Sequence, residues 1–183
     1  MYQWIVFIIV SLIIIAVSWK SLREPRSHGF YRFFAWETIL ALFVINMNFW
    51  FYQPFVWNQI ISWLLLVICF VPLFFGVQSL RRRGKPAEQR ESEPSLLAFE
   101  KTTELVTSGI YHYIRHPLYS SLFLLAWGIF FKSPSSIGIV LAVAATLFLI
   151  ATAKADETEC TRFFGPQYQE YMKTTSMFVP YIF

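Results

Sequence analysis

An all-α integral membrane domain is the fold class this sequence predicts, and three observations predict it. Of its 183 residues, 56% are hydrophobic and only 14% are charged, against about 25% charged in an ordinary soluble domain. Mean hydropathy is +0.51, and the apolar residues gather into runs near the ~18-residue length that spans a bilayer core. Disorder is excluded by the apolar content, and a disulfide scaffold by the presence of only two cysteines, Cys69 and Cys160. Residues 1–19 make the first span. They lack a basic n-region and a small-residue cleavage site, so a removed signal peptide is not expected. Residues 33–51 make the second, carrying Glu37, Asn46 and Asn48, and residues 56–80 the third, with a kink at Pro72, which removes a backbone donor. Two shorter runs, 118–131 and 137–153, flank Lys132-Ser133-Pro134-Ser135-Ser136 and read as a helical hairpin. About five transmembrane helices result, in one membrane domain: 1–80 as three helices, 81–104 as a connector, and 105–183 as hairpin and tail.

Charge sets the orientation. Fourteen of the fifteen basic residues fall on one side of the five-span layout, and only Lys132 on the other. The positive-inside rule makes that side cytoplasmic, with the N-terminus outside. The net charge of +4 therefore faces an anionic leaflet, and the bilayer rather than a nucleic acid is the expected partner.

Polar residues concentrate in the segment 81–116 and in the tail 154–183, which this topology brings to one face. The stretch from Arg81 through Pro94 reads as a solvated connection, with order returning near Leu96. At Arg115-His116-Pro117, proline suits a first helical turn, and the helix N-terminus adds positive potential beside two basic side chains. Three carboxylates, Asp156, Glu157 and Glu159, leave the last apolar run. Read alone, they are equally a solvated turn with Arg162 and Lys154 as neighbours, or a cation site turned toward Arg115. Gly165-Pro166 stops that helix, and Tyr168, Tyr171 and Met172 recur at a helical interval suited to packing. Glu37 stands about two turns inside a span, either as an interfacial pair with Arg32 or Lys20, or as a functional carboxylate. Asn46 and Asn48 are expected to satisfy neighbouring helices, and His28 carries no readable function.

Leu105-Val106-Thr107-Ser108-Gly109-Ile110-Tyr111, followed by Arg115-His116-Pro117-Leu118-Tyr119, resembles the paired motifs of the isoprenylcysteine carboxyl methyltransferase and phospholipid methyltransferase family. The same family's second motif resembles Lys154, Asp156, Glu157, Phe164, Gly165, Tyr168 and Tyr171, with Asp156 and Lys154 departing from the usual Glu and Arg. The resemblance covers roughly residues 96–183. It implies S-adenosyl-L-methionine as methyl donor, held on the cytoplasmic side between loop and tail. It also implies that His116, Tyr119 and Glu157 contact the donor's amino-acid end, with Pro117 in the same motif, while Leu105, Val106, Gly109 and Tyr111 wall the adenosine.

For the chemical step the candidates are Arg115, Glu37 and Arg162, the last as a guide for an acidic headgroup. A carboxylate acceptor needs no general base; a thiol or ammonium acceptor needs a proton acceptor, for which Glu37, His112 and His116 are the choices. The expected acceptor is lipophilic, an isoprenylcysteine carboxylate or a lipid headgroup, entering laterally from the bilayer. No metal site is expected. The Arg-His-Pro-x-Tyr motif and Val179-Pro180-Tyr181-Ile182-Phe183, with Cys160, also resemble the NADPH-dependent membrane sterol reductases, which makes such a reductase the alternative, and a non-catalytic membrane scaffold the third reading.

Overall fold

The structure is a computed structural model that describes residues 2–84 and 102–181. The expectations of a solvated connection near Pro94 and of order returning at Leu96 fall outside the described residues, as do Ile182 and Phe183.

Among the described residues the regular structure is helical. Helix α1 spans Tyr2–Leu22, α2 His28–Asn46, α3 Trp57–Ile68, α4 Phe70–Arg83, α5 Pro117–Phe130, α6 Ser136–Phe164 and α7 Pro166–Thr174. Four stretches are long and apolar enough to cross a membrane: Tyr2–Leu22, His28–Phe49, Trp57–Arg83 and Ser136–Phe164, with Pro117–Phe130 as a shorter apolar helix. The all-helical membrane class predicted from composition therefore holds.

Helix α1 shows how lipid inverts the usual rule of burial. Its buried residues are Ser18 and Ser21, while Ile5, Ile8, Leu12 and Ile13 are exposed. In a bilayer, large apolar side chains gain nothing by leaving the lipid, whereas small polar ones allow close helix contact. Ser27 caps α2, its hydroxyl accepting from the Phe30 N–H at 3.1 Å. The kink expected in the third span falls at Cys69, where α3 gives way to α4. Pro72 has no N–H to offer the Ile68 carbonyl, so the break opens one turn before the proline itself. A Cβ on Gly128 would meet the Leu66 side chain at 2.9 Å, and the Ser62 hydroxyl donates to the Gly128 carbonyl at 2.7 Å. Close approach of α3 and α5 thus depends on the glycine.

The hairpin forms where the sequence indicates, with Ser135 accepting from the Gly138 N–H at 3.0 Å to start α6. Twenty-nine residues of helix extend about 43 Å, well beyond the ~30 Å hydrocarbon core. The acidic residues lie in the C-terminal turns of this long helix. Gly165, at φ +63°, ends the helix and lets α7 fold back. The core is built around α2, which packs most extensively on α6 and also meets α1 and α5. Ala35, Leu42, Ala126, Ala142, Ala145 and Leu149 are wholly buried.

Candidate active site

The end of α4 fixes the loop that follows the undescribed residues. The Gly84 carbonyl accepts from the Thr103 N–H at 3.0 Å, Arg83 donates to the Ser108 hydroxyl, and Leu80, Val106 and Tyr111 form one buried cluster. Gly109, at φ +69°, adopts a conformation that side-chain-bearing residues resist, and it turns the chain into the helical turn Gly109–His112. The Tyr171 hydroxyl on α7 donates to the Tyr111 carbonyl at 2.5 Å. Loop and tail are thereby joined.

Between them lies a cavity of about 100 Å³. Leu80, Thr102, Leu105, Val106 and Tyr111 form one wall, and Phe164, Tyr168 and Tyr171 face them. Arg115, His116, Pro117, Leu118 and Tyr119 enter from the start of α5, and Asp156 and Cys160 from α6. The polar end is tightly coupled. His116, 5% exposed, has Nδ1 3.4 Å from Asp156 Oδ2 and Nε2 3.4 Å from Glu157 Oε1. The Tyr119 hydroxyl donates to Asp156 Oδ2 at 3.3 Å, and its ring stacks on the His116 imidazole with centroids 5.4 Å apart. Cys160 donates to Asp156 Oδ1 at 3.5 Å.

Burial by itself would lower the pKa of His116, yet its hydrogen bonds to the Asp156 and Glu157 carboxylates, and then their charges, outweigh it and raise the pKa above its ordinary value. Burial, reinforced by Cys160, Asp156 and Glu157, pushes the Tyr168 phenol up; burial does the same for Tyr171 against the pull of Arg115. Both phenols stay neutral and act as hydrogen-bonding walls.

Of the residues singled out in the sequence, Leu105, Val106, Tyr111, Arg115, His116, Pro117 and Tyr119 line this cavity. Gly109 shapes the loop, and Glu157 stands behind His116, taking a 2.7 Å hydrogen bond from Arg115 Nε. Arg115 directs its other donors to the carbonyls of Met172, at 3.2 Å, and Thr175. Arg115 therefore ties α6 to the end of α7. Glu37 lies elsewhere: its Oε2 accepts from Ser11 on α1 at 2.8 Å. Arg162 is exposed on α6 and does not line the cavity. Asn46 donates within its own helix, to the Leu42 carbonyl at 3.2 Å, while Asn48 accepts from Tyr2.

Two features escaped sequence reasoning. Asp156, rather than Glu157, is the carboxylate lining the cavity, because of its rotational position on α6. His28, fully buried, has Nδ1 2.6 Å from Glu159 Oε2, while its backbone N–H donates to Glu159 Oε1 at 2.9 Å. Nothing local announced a pair 131 residues apart. The helical spacing of Asp156 and Glu159, which sets both toward the start of α2, was the available signal.

Fold and site together define an all-helical membrane protein with a cavity at one end, closed by a His-carboxylate cluster. The phospholipid methyltransferase family matches residues 93–167. A methanethiol S-methyltransferase of Crocosphaera subtropica is 28% identical over 180 residues, covering 89% of this chain and 64% of that relative's length. No solved structure matches the chain. Both matches fit the isoprenylcysteine and phospholipid methyltransferase family, the one the two motifs resemble.

Proposed function

We propose that the chain is an S-adenosyl-L-methionine-dependent membrane methyltransferase acting on a lipophilic acceptor. The observation that carries this reading is the cavity in which the Arg115–Tyr119 segment meets Asp156 of α6, with Glu157 behind His116. The donor's chemistry fits the groups present. Its ammonium suits Asp156, its carboxylate suits the imidazolium of His116, and its flat adenosine suits the wall of Val106, Tyr111 and Tyr168. When bound, the donor supplies an electrophilic methyl group on a sulfonium. The chain's part is alignment: Asp156 and Tyr119 hold the polar end, Arg115 keeps Glu157 in position behind His116, and the buried aromatic wall excludes water.

The acceptor's own chemistry decides whether a base is needed. A carboxylate requires none. A second reading, a small thiol, is favoured by the identity with the methanethiol S-methyltransferase. Its proton needs a destination, and of Glu37, His112 and His116 only His116 lines the cavity; only its unprotonated form can accept that proton. The site is assigned to the cytoplasmic face with the N-terminus outside, on the basis of the Arg81–Arg83 and Arg115 end of the bundle opposite Lys132.

Titration of the detergent-purified protein with S-adenosylhomocysteine and with NADPH tests the donor. Binding of the first, lost in His116→Ala and in Asp156→Asn, is expected; binding of NADPH alone would move the chain to the reductase reading, and binding of neither to the scaffold. Transfer of a radiolabelled methyl group into a lipid extract, prenyl-cysteine analogues or methanethiol separates the acceptors. Labelling confined to methanethiol would replace the lipophilic acceptor with the thiol.

A further inference from the structure

The segment after α7, residues 175–178, returns to the start of α5 and runs beside it. The Arg115 N–H donates to the Ser176 carbonyl at 2.9 Å, the His116 N–H to the Met177 carbonyl at 3.2 Å, and the Ser176 N–H to the Tyr113 carbonyl at 3.2 Å. Ile114 and Ser176 form a parallel bridge, and the Ser120 hydroxyl donates to the Phe178 carbonyl at 2.8 Å. Arg115 secures the near end of the segment through the Thr175 carbonyl. Every residue from Thr175 to Phe178 is thus tied to the stretch from Tyr113 to Ser120. Met177 and Phe178 are buried in one cluster with Ala35, Tyr119, Leu149 and Ala153, yet they differ in one contact. The Phe178 ring meets the His116 imidazole edge-on, with centroids 6.3 Å apart, on a ring already stacked against Tyr119.

We propose that residues 175–178 are a built-in brace behind the donor site, and that Phe178 is a positioning residue that holds the His116 imidazole between Asp156 and Glu157. The inference rests on the donor reading above and extends it to a segment lying beyond the family match, which ends at residue 167. Neither carboxylate by itself fixes the ring, since both contacts are long at 3.4 Å, and a hydrogen bond of that length tolerates several ring orientations. Two aromatic contacts, one on the face and one at the edge, remove that freedom. Phe178 acts through His116 and touches no reacting atom.

The test compares two buried neighbours on the same strap in the full chain. Phe178→Leu keeps an apolar side chain but removes the aromatic edge, whereas Met177→Leu alters the same cluster without altering that contact. We expect Phe178→Leu to weaken S-adenosylhomocysteine binding about tenfold, and Met177→Leu to leave affinity within about twofold, with similar thermal unfolding for both. Phe178→Met gives the same comparison should the leucine variant not fold. Wild-type affinity in the folded Phe178 variant, or an equal loss in Met177→Leu, overturns the inference while leaving the donor reading intact. Absence of binding in the wild-type chain overturns the donor reading, and the inference with it.

Discussion

His116 is the residue whose charge state reports the site most directly. Because Asp156 and Glu157 raise its pKa despite burial, the folded protein holds this proton more tightly than the unfolded chain does. That stabilisation is fully present below the ordinary pKa of 6.5, and it is lost as pH rises through the raised folded value. Thermal unfolding in detergent is expected to show Tm falling across that window, and His116→Gln to flatten the fall; an unchanged slope would mean the carboxylates do not hold the proton. Gly165 raises a different residue-level issue. At φ +63° and ψ −140° it occupies backbone space that an L side chain resists, although nothing lies within 4 Å of a Cβ built there. Gly165→Ala should therefore destabilise by about 1–3 kcal/mol through strain alone. Since Gly165 sets the direction of α7, donor affinity should fall together with Tm.

Contacts between elements depend on small residues and a few polar clamps. The fully buried Lys132, in the turn between α5 and α6, directs its ammonium at the Trp63 ring, 3.4 Å from the centroid, with Trp50 at 5.2 Å. Its remaining partner is the Gln59 Oε1 at 3.1 Å. Two indole faces and an amide oxygen replace water for this cation, which locks the turn to α3. Trp63→Leu keeps an apolar side chain but removes the aromatic face and part of the volume, and an unfolding shift of about 2 kcal/mol is expected, with donor binding at the opposite end unaffected. The His28–Glu159 clamp joins α2 to the C-terminal end of α6. Glu159→Ala leaves the buried His28 N–H and Nδ1 without their acceptor, so a loss of about 2 kcal/mol is expected. Unlike Trp63→Leu, it should also weaken donor binding, because Asp156 lies on the same face of α6. Equal donor affinity in both variants would show that the clamp is independent of the site.

At the scale of the whole molecule, the bundle separates two chemistries along one axis. Apolar helices face lipid, while the C-terminal turns of α6, the end of α4 and α7 assemble the polar cavity at one end, with the strap behind it. The sequence determined the membrane class, since so few charges leave no other solvent for so much apolar surface. It also determined the hairpin, the Gly165 stop and most of the cavity's residues, because those signals are local: a run of residues, a cap, a turn, or a motif within a dozen positions. Only the tertiary structure decided that Asp156 lines the cavity while Glu157 pairs with Arg115, because that depends on the rotation of α6. In the same way, Glu37 meets Ser11 on α1, His28 meets Glu159, and Phe178 braces His116. Each of these pairs brings together residues remote in the chain, and helix packing rather than periodicity selects which side chains meet.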